Sequence, residues 1–217
     1  MILIYNKNVV QTVWNFKRCC ALIFFALFFL GMSGPAPRQK MTKSENLKKA
    51  TFAAGCFWGV EKIIAHIPGV VATSVGYAGG TTADPTYEQV CTGRTGHAEA
   101  VEIVYDPAQA SYKELLITFF EYHDPTTMNR QGPDVGSQYR SVIFYHDEEQ
   151  AQMARQAKRL LEQGKVFEDP IVTEIVPAGP FYRAEDYHQK YLQKNPFGYC
   201  SHHLQSQKIR QTLKGQL

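Results

Sequence analysis

From about residue 51 onward, short apolar runs alternate with longer amphipathic stretches, and the change of period marks out the elements. Residues 51–54 (Thr-Phe-Ala-Ala) read as the end of a buried strand. Val60, Ile63, Ile64 and Ile67 then recur at helical spacing until Pro68-Gly69 stops the pattern. Residues 70–75 predict a second strand, residues 76–80 (Gly-Tyr-Ala-Gly-Gly) a flexible turn, and residues 84–91 a short helix with Pro85 at its first position. Residues 97–105 alternate with a period of two. Val101, Ile103 and Tyr105 share a face with His97 and Glu99, while Ala98, Ala100, Glu102 and Val104 take the other.

Ser111 and Glu114 form a capping box ahead of an apolar helix through Leu115, Leu116, Phe119 and Phe120, which stops at His123-Asp124-Pro125. Residues 124–138 have no apolar period, and a loop of that length in a compact domain usually carries function. Residues 141–145 predict a strand. Asp147 and Gln150 open a long polar helix ending at Gly164, residues 171–176 form a last strand, and residues 181–194 read as a helix whose aromatic spacing suits core packing. Asn195-Pro196-Phe197-Gly198-Tyr199-Cys200 is a turn-rich tail.

Residues 1–34 differ from this body. Basic residues up to Lys17-Arg18 precede an apolar run from Ala21 and then the small residues Ser33-Gly34, the layout of a secretory signal. That run is shorter than the roughly 20 residues needed to span a bilayer. Export to a bacterial periplasm is one expectation, and a cytoplasmic protein starting at Met41 is the other. The organisation read from the sequence is a leader over 1–34, a polar linker over 35–46, a folded body over 47–200 and a C-terminal tail over 201–217.

Composition narrows the function. With 217 residues, 44% hydrophobic and 20% charged, the chain supports one well-cored domain. Lys7, Lys17 and Arg18 account for the whole formal charge of +3, so the body is formally neutral and nucleic-acid binding through phosphate charge is not expected. Cys19 and Cys20 lie in the leader. Cys56, Cys91 and Cys200 remain, an odd and scattered trio that fits neither a disulfide scaffold nor a zinc site and is compatible with redox or catalytic thiols. His202-His203 lacks a third ligand, so no metal is expected.

Cys56 sits between Gly55 and Gly59 in Gly55-Cys56-Phe57-Trp58-Gly59, at a strand-to-helix turn. A helix N-terminus favours an anion, so the position predicts a lowered thiol pKa; the alternative is a buried structural cysteine. Glu99 shares the apolar face of its strand. There a carboxyl is costly when ionised and holds its proton near neutral pH, as a general acid must, unless the strand end is wet. Cys91 reads as a small core hydrophobe, Tyr87 as a half-buried packing residue, Asp134 as a turn residue and Tyr139 as a strand start.

Four stretches together carry a resemblance: Gly55-Cys56-Phe57-Trp58-Gly59, the Gly-Tyr-Ala-Gly-Gly turn with the Tyr87 segment, Gly96-His97-Ala98-Glu99, and the loop around Asp134 and Tyr139. In order over residues 45–200 the chain resembles the A-type peptide-methionine (S)-S-oxide reductases. The resemblance implies an α+β fold, a mixed β-sheet packed with helices in two layers related to the ferredoxin-like arrangement, with long irregular loops and an extended C-terminal tail. It also implies that the body is a catalytic reductase domain acting on methionine-S-sulfoxide, free or in oxidised proteins. Cys56 would attack the sulfoxide sulfur, and Glu99, aided by Tyr87 and Tyr139, would protonate the oxygen. Phe57 and Trp58 would hold the substrate methyl, with Asp134 on the substrate side. Cys200 would resolve the Cys56 sulfenic acid into a disulfide for thioredoxin or a thioredoxin-like reductant. No bound cofactor is implied, and a monomer is expected.

Two rivals remain open on the sequence. One is a cysteine hydrolase or acyltransferase with His97 as base, and the other a secreted binding module whose cysteines are structural.

Overall fold

A computed structural model describes residues 46–217, so the leader and nearly all of the linker lie outside the described residues. Strand β1 (Lys48–Ala54) carries Ala50, Phe52 and Ala54 on one face and delivers the chain through Gly55 to helix α1 (Phe57–Ile64). Strand β2 (Val70–Ala78) follows, then a short helix α2 (Tyr87–Cys91) and strand β3 (Ala98–Tyr105). Helix α3 (Tyr112–Glu121) is capped by Ser111, whose side chain accepts from Glu114 N–H at 3.2 Å. Only half of the expected capping box forms, because the Glu114 carboxylate pairs with Arg210 instead.

The long loop contains a small hairpin, β4 (Arg130–Gln131) with β5 (Asp134–Val135), and a single 3-10 turn over Ser137–Tyr139. Strand β6 (Ser141–Tyr145) and helix α4 (Glu148–Gln163), capped by Asp147, match the sequence reading. Strands β7 (Glu174–Pro177) and β8 (Phe181–Arg183) and helices α5 (Tyr191–Lys194) and α6 (Gln207–Lys214) complete the chain.

Six strands form one mixed sheet in the order β7-β6-β1-β3-β2-β8, antiparallel except for the parallel β6–β7 pair. The face bearing Phe52, Val101, Ile103 and Tyr105 packs with Phe57, Val60, Ile64, Leu115, Leu116 and Phe119 in the main core. The other face is lined by small residues, Ala53, Ala78, Ala98 and Ala100, with Val142 and Phe144, and is covered by Val176, Ala178 and Phe181. The architecture is α+β, with helices against a mixed sheet.

Four local expectations are corrected. Residues 76–78 continue β2 and pair with β3 and β8, so the turn is confined to the residues after Ala78. Pro85 precedes the cap of α2; Thr86 is the cap, and with Gln89 it completes a capping box. Residues 181–194 are not one helix. They make the edge strand β8, where pairing with β2 satisfies the backbone, and helix resumes only at α5. The last strand starts three residues late, at Glu174.

The tail also differs from an extended segment. Ser206 caps α6, which buries Ile209 and Leu213, while Arg210 pairs with Glu121 at 2.6 Å and with Glu114. The apolar positions Ile209 and Leu213 lie four apart on one helical stripe, which is what docks the helix on the body.

Candidate active site

Gly55 makes the corner between β1 and α1. Its φ of +88° is a backbone conformation that side chains rarely adopt, and an added Cβ would lie 2.6 Å from Gln131 Cβ and Cγ. The corner leaves Cys56 at the N-cap of α1 with its side chain only 7% exposed. Thr51 pairs with Glu102 and Phe52 with Val101, and the same register carried two residues further brings Glu99 to the β1–α1 corner. Glu99 is buried, and its Oε2 accepts from Phe57 N–H at 3.1 Å, a backbone group that would otherwise be unpaired in the first helical turn. A thiol and a carboxyl thus share one helix N-terminus.

Their protonation follows from burial. Desolvation pushes Glu99 up to about 8 and Asp134 adds to the rise, against the opposing Phe57 N–H. The carboxyl is therefore neutral near pH 7. The expectation of a lowered Cys56 pKa is overturned for the free protein. Burial raises it strongly and Glu99 adds to this, whereas the N–H groups of Trp58 and Gly59 at the helix start pull only partly the other way. The resting pair is a thiol beside a carboxylic acid, with both protons in place.

Tyr87 and Tyr139 are half-buried, and both phenols are pushed upward first by burial, with Glu99 also contributing, so they remain neutral donors near this carboxyl. Tyr87 is held by a residue the sequence reading missed: Glu185 accepts from Tyr87 N–H at 2.9 Å and from the Tyr77 hydroxyl at 2.8 Å. Phe57 is buried, 5.0 Å between ring centroids from His188 and 6.1 Å from Tyr77. Trp58 is partly exposed. Its indole stacks on Tyr191 at 3.9 Å, and its Nε1–H donates to His188 Nδ1 at 3.1 Å, which fixes the plane of the ring. Glu185, His188 and Tyr191 lie in the segment whose aromatic spacing was assigned to core packing.

Two expectations change here. Cys91 is exposed, not a core hydrophobe, and interacts with the Tyr87 phenol. His97 does not face Cys56. Gly80 N–H donates to its Nδ1 at 3.0 Å and its Nε2 bonds Thr82 C=O at 2.8 Å, so the ring ties down the turn after β2. Strand alternation fails at His97 because β3 begins one residue later.

Asp134 accepts from the Tyr199 hydroxyl at 3.1 Å and from Ser201 Oγ at 3.0 Å, so it grips the tail on either side of the exposed Cys200. Cys200 Sγ lies over the first turn of α1, where a Cβ placed on Gly59 would be 3.1 Å from it. All three thiols of the described residues are free. His202 and His203 bond different backbone carbonyls, those of Ala54 and Ser201.

Comparison with known proteins shows which proteins the chain is similar to. The family model described as peptide methionine sulfoxide reductase matches residues 48–216. The peptide methionine sulfoxide reductase MsrA of Methanosarcina acetivorans is 63% identical over 153 residues, 70% of this chain and 81% of that protein. Among solved structures, reduced Mxr1 from Saccharomyces cerevisiae is 38% identical with a TM-score of 0.68, covering 74% of this chain and 93% of that one. Mxr1 in complex with Trx2 is also similar, at 27% identity and a TM-score of 0.52 over 77% of this chain and 97% of that one.

Proposed function

This chain belongs to the peptide methionine sulfoxide reductase family, and from that membership and the site we infer that it reduces methionine sulfoxide to methionine, in peptides and as the free amino acid. The observation that carries the reading is the buried, neutral Glu99 held beside Cys56 at the start of α1.

The sulfoxide oxygen is the group that must leave sulfur, and it leaves only when protonated. Glu99 supplies the proton while Tyr87 and Tyr139 donate hydrogen bonds to the same oxygen. Burial keeps Cys56 protonated at rest, and as the sulfur attacks its proton passes to the Glu99 carboxylate, which restores the acid. In balance, oxygen passes from the sulfoxide to Cys56: the substrate sulfur is reduced by two electrons and Cys56 becomes a sulfenic acid. Phe57 and the fixed face of Trp58 receive the methyl group, and Asp134 lies on the substrate side. Specificity for the S-sulfoxide is part of this reading.

Cys200 then attacks the Cys56 sulfenic sulfur. An S–S bond forms, the S–O bond breaks and the oxygen leaves as water. A thioredoxin or thioredoxin-like dithiol returns both cysteines to thiols, a reading supported by the similar yeast protein solved with Trx2. The hydrolase alternative has little support, since His97 is occupied by Gly80 and Thr82. Turnover of the separate S- and R-sulfoxides with dithiothreitol tests the function. Consumption of the S form alone is expected, and inert sulfoxide would overturn it.

A further inference from the structure

His202 belongs to none of the roles above, yet its side chain is packed into the site. Its Nε2 bonds Ala54 C=O at 2.6 Å; a carbonyl only accepts, so Nε2 carries the proton and Nδ1 is a bare lone pair. That Nδ1 is buried without a partner. It lies directly over Gly59, where an added Cβ would overlap it and would also meet Cys200 Sγ at 3.1 Å. One glycine gap in the first turn of α1 therefore receives both the imidazole and the thiol. The thiol itself points to the His202 carbonyl at 3.9 Å.

A buried acceptor without a donor is unfavourable, so the bond from Nε2 to Ala54 is kept at the cost of an unpaired Nδ1. What it achieves is attachment: residue 202 is tied to residue 54, two positions before Cys56, while Ser201 and Tyr199 are tied to Asp134. We propose that His202 is a positioning residue for disulfide formation, its ring anchoring the strap over Gly59 so that Cys200 is held against the helix start that carries Cys56.

The proposal rests on Cys200 being the resolving thiol. Holding the two sulfurs at one helix end makes the attack on the sulfenic acid effectively unimolecular, and losing the anchor lets the strap sample positions from which no bond forms. Burial lowers the His202 pKa, so the ring stays neutral and the bond to Ala54 persists near pH 7.

The test separates the two halves of the cycle in the full chain. Single-turnover quench measures methionine formed per enzyme, thiol alkylation with mass spectrometry measures the Cys56–Cys200 disulfide, and thioredoxin with its reductase and NADPH measures cycling. His202→Ala should give a first turnover within about twofold of the parent but disulfide formation slower by at least about tenfold, with sulfenic acid accumulating to be trapped by dimedone. His202→Gln, whose amide N–H reaches the Ala54 carbonyl, should recover most of the rate. His202→Phe fills the gap without a donor and should not. If His202→Ala is unfolded, the Gln and Phe variants decide by the same criterion.

Disulfide formation at the parent rate in the Ala and Phe variants overturns the proposal, as does an equal loss in both half-reactions. Cys200→Ser distinguishes this from failure of the underlying reading. If that variant still cycles with thioredoxin, Cys200 is not the resolving thiol and both ideas fall. If it stops after one turnover while His202→Ala forms the disulfide normally, only the anchor is wrong.

Discussion

The corner that holds Cys56 and the strap that holds Cys200 lie against the same helix start but are built in opposite ways. Cys56 and Glu99 are fixed by backbone: a strand register, a glycine corner and a helix N–H. Both are buried, and burial decides their protonation. The strap is fixed by side chains, with Asp134 gripping Tyr199 and Ser201 and Ala54 gripping His202, and its thiol is exposed. The difference matches the chemistry. Oxygen transfer needs a dry site in which a carboxylic acid keeps its proton, whereas a thiol that must meet another protein's dithiol needs access and the freedom to let go.

Variants on the two sides should separate accordingly. Cys56→Ser has the largest effect, abolishing sulfoxide reduction with any reductant; residual methionine formation at a tenth of the parent rate, by amino-acid analysis, would relocate the nucleophile. Glu99→Gln comes next, with an expected loss on the order of 10²–10⁴ in first-turnover rate, since the amide cannot deliver a proton. The parent rate should also fall as pH rises through about 8, where Glu99 ionises, and that limb should vanish in the variant.

The same group links pH to stability. An unfolded glutamate titrates near its ordinary value of about 4.3, and the folded group near 8. Stability contributed by the protonated carboxyl is complete below the unfolded value and is lost as pH rises through about 8. Urea titrations should show that decline in the parent and less of it in Glu99→Gln.

On the strap, Tyr199→Phe combined with Ser201→Ala removes two side-chain hydrogen bonds, each worth about 1 kcal/mol. Thioredoxin-driven turnover should fall a few-fold while the first turnover holds or rises, because Asp134 is freed for substrate. Equal losses in both would merge the two regions into one unit. Cys91→Ser should change least, keeping most of both half-reactions despite the contact with Tyr87; a large loss would extend the chemical corner to a third thiol.

Several elements were legible in the sequence because their causes are local. The apolar stripe of α1, the Ser111 and Asp147 caps and the parity of Val101 and Ile103 each follow from periodicity or short-range hydrogen bonding. The start of the turn expected over residues 76–80 and the start of the helix expected over 181–194 give way to one ladder: residues 181–183 of β8 pair with residues 76–78 of β2, and that long-range pairing overrides local preference.

The sequence by itself determined that a thiol stands between two glycines at a helix start, and that a glutamate shares the apolar face of a strand. Only the tertiary structure decided what those placements mean. Helix-end polarity favours a thiolate at Cys56, but burial beside Glu99 outweighs it, and desolvation depends on everything that packs around a group. His202 shows the same limit from the other side: its neighbours Cys200 and His203 say nothing of its partner, and its place is set by the carbonyl of Ala54 and the bare backbone of Gly59, far away along the chain.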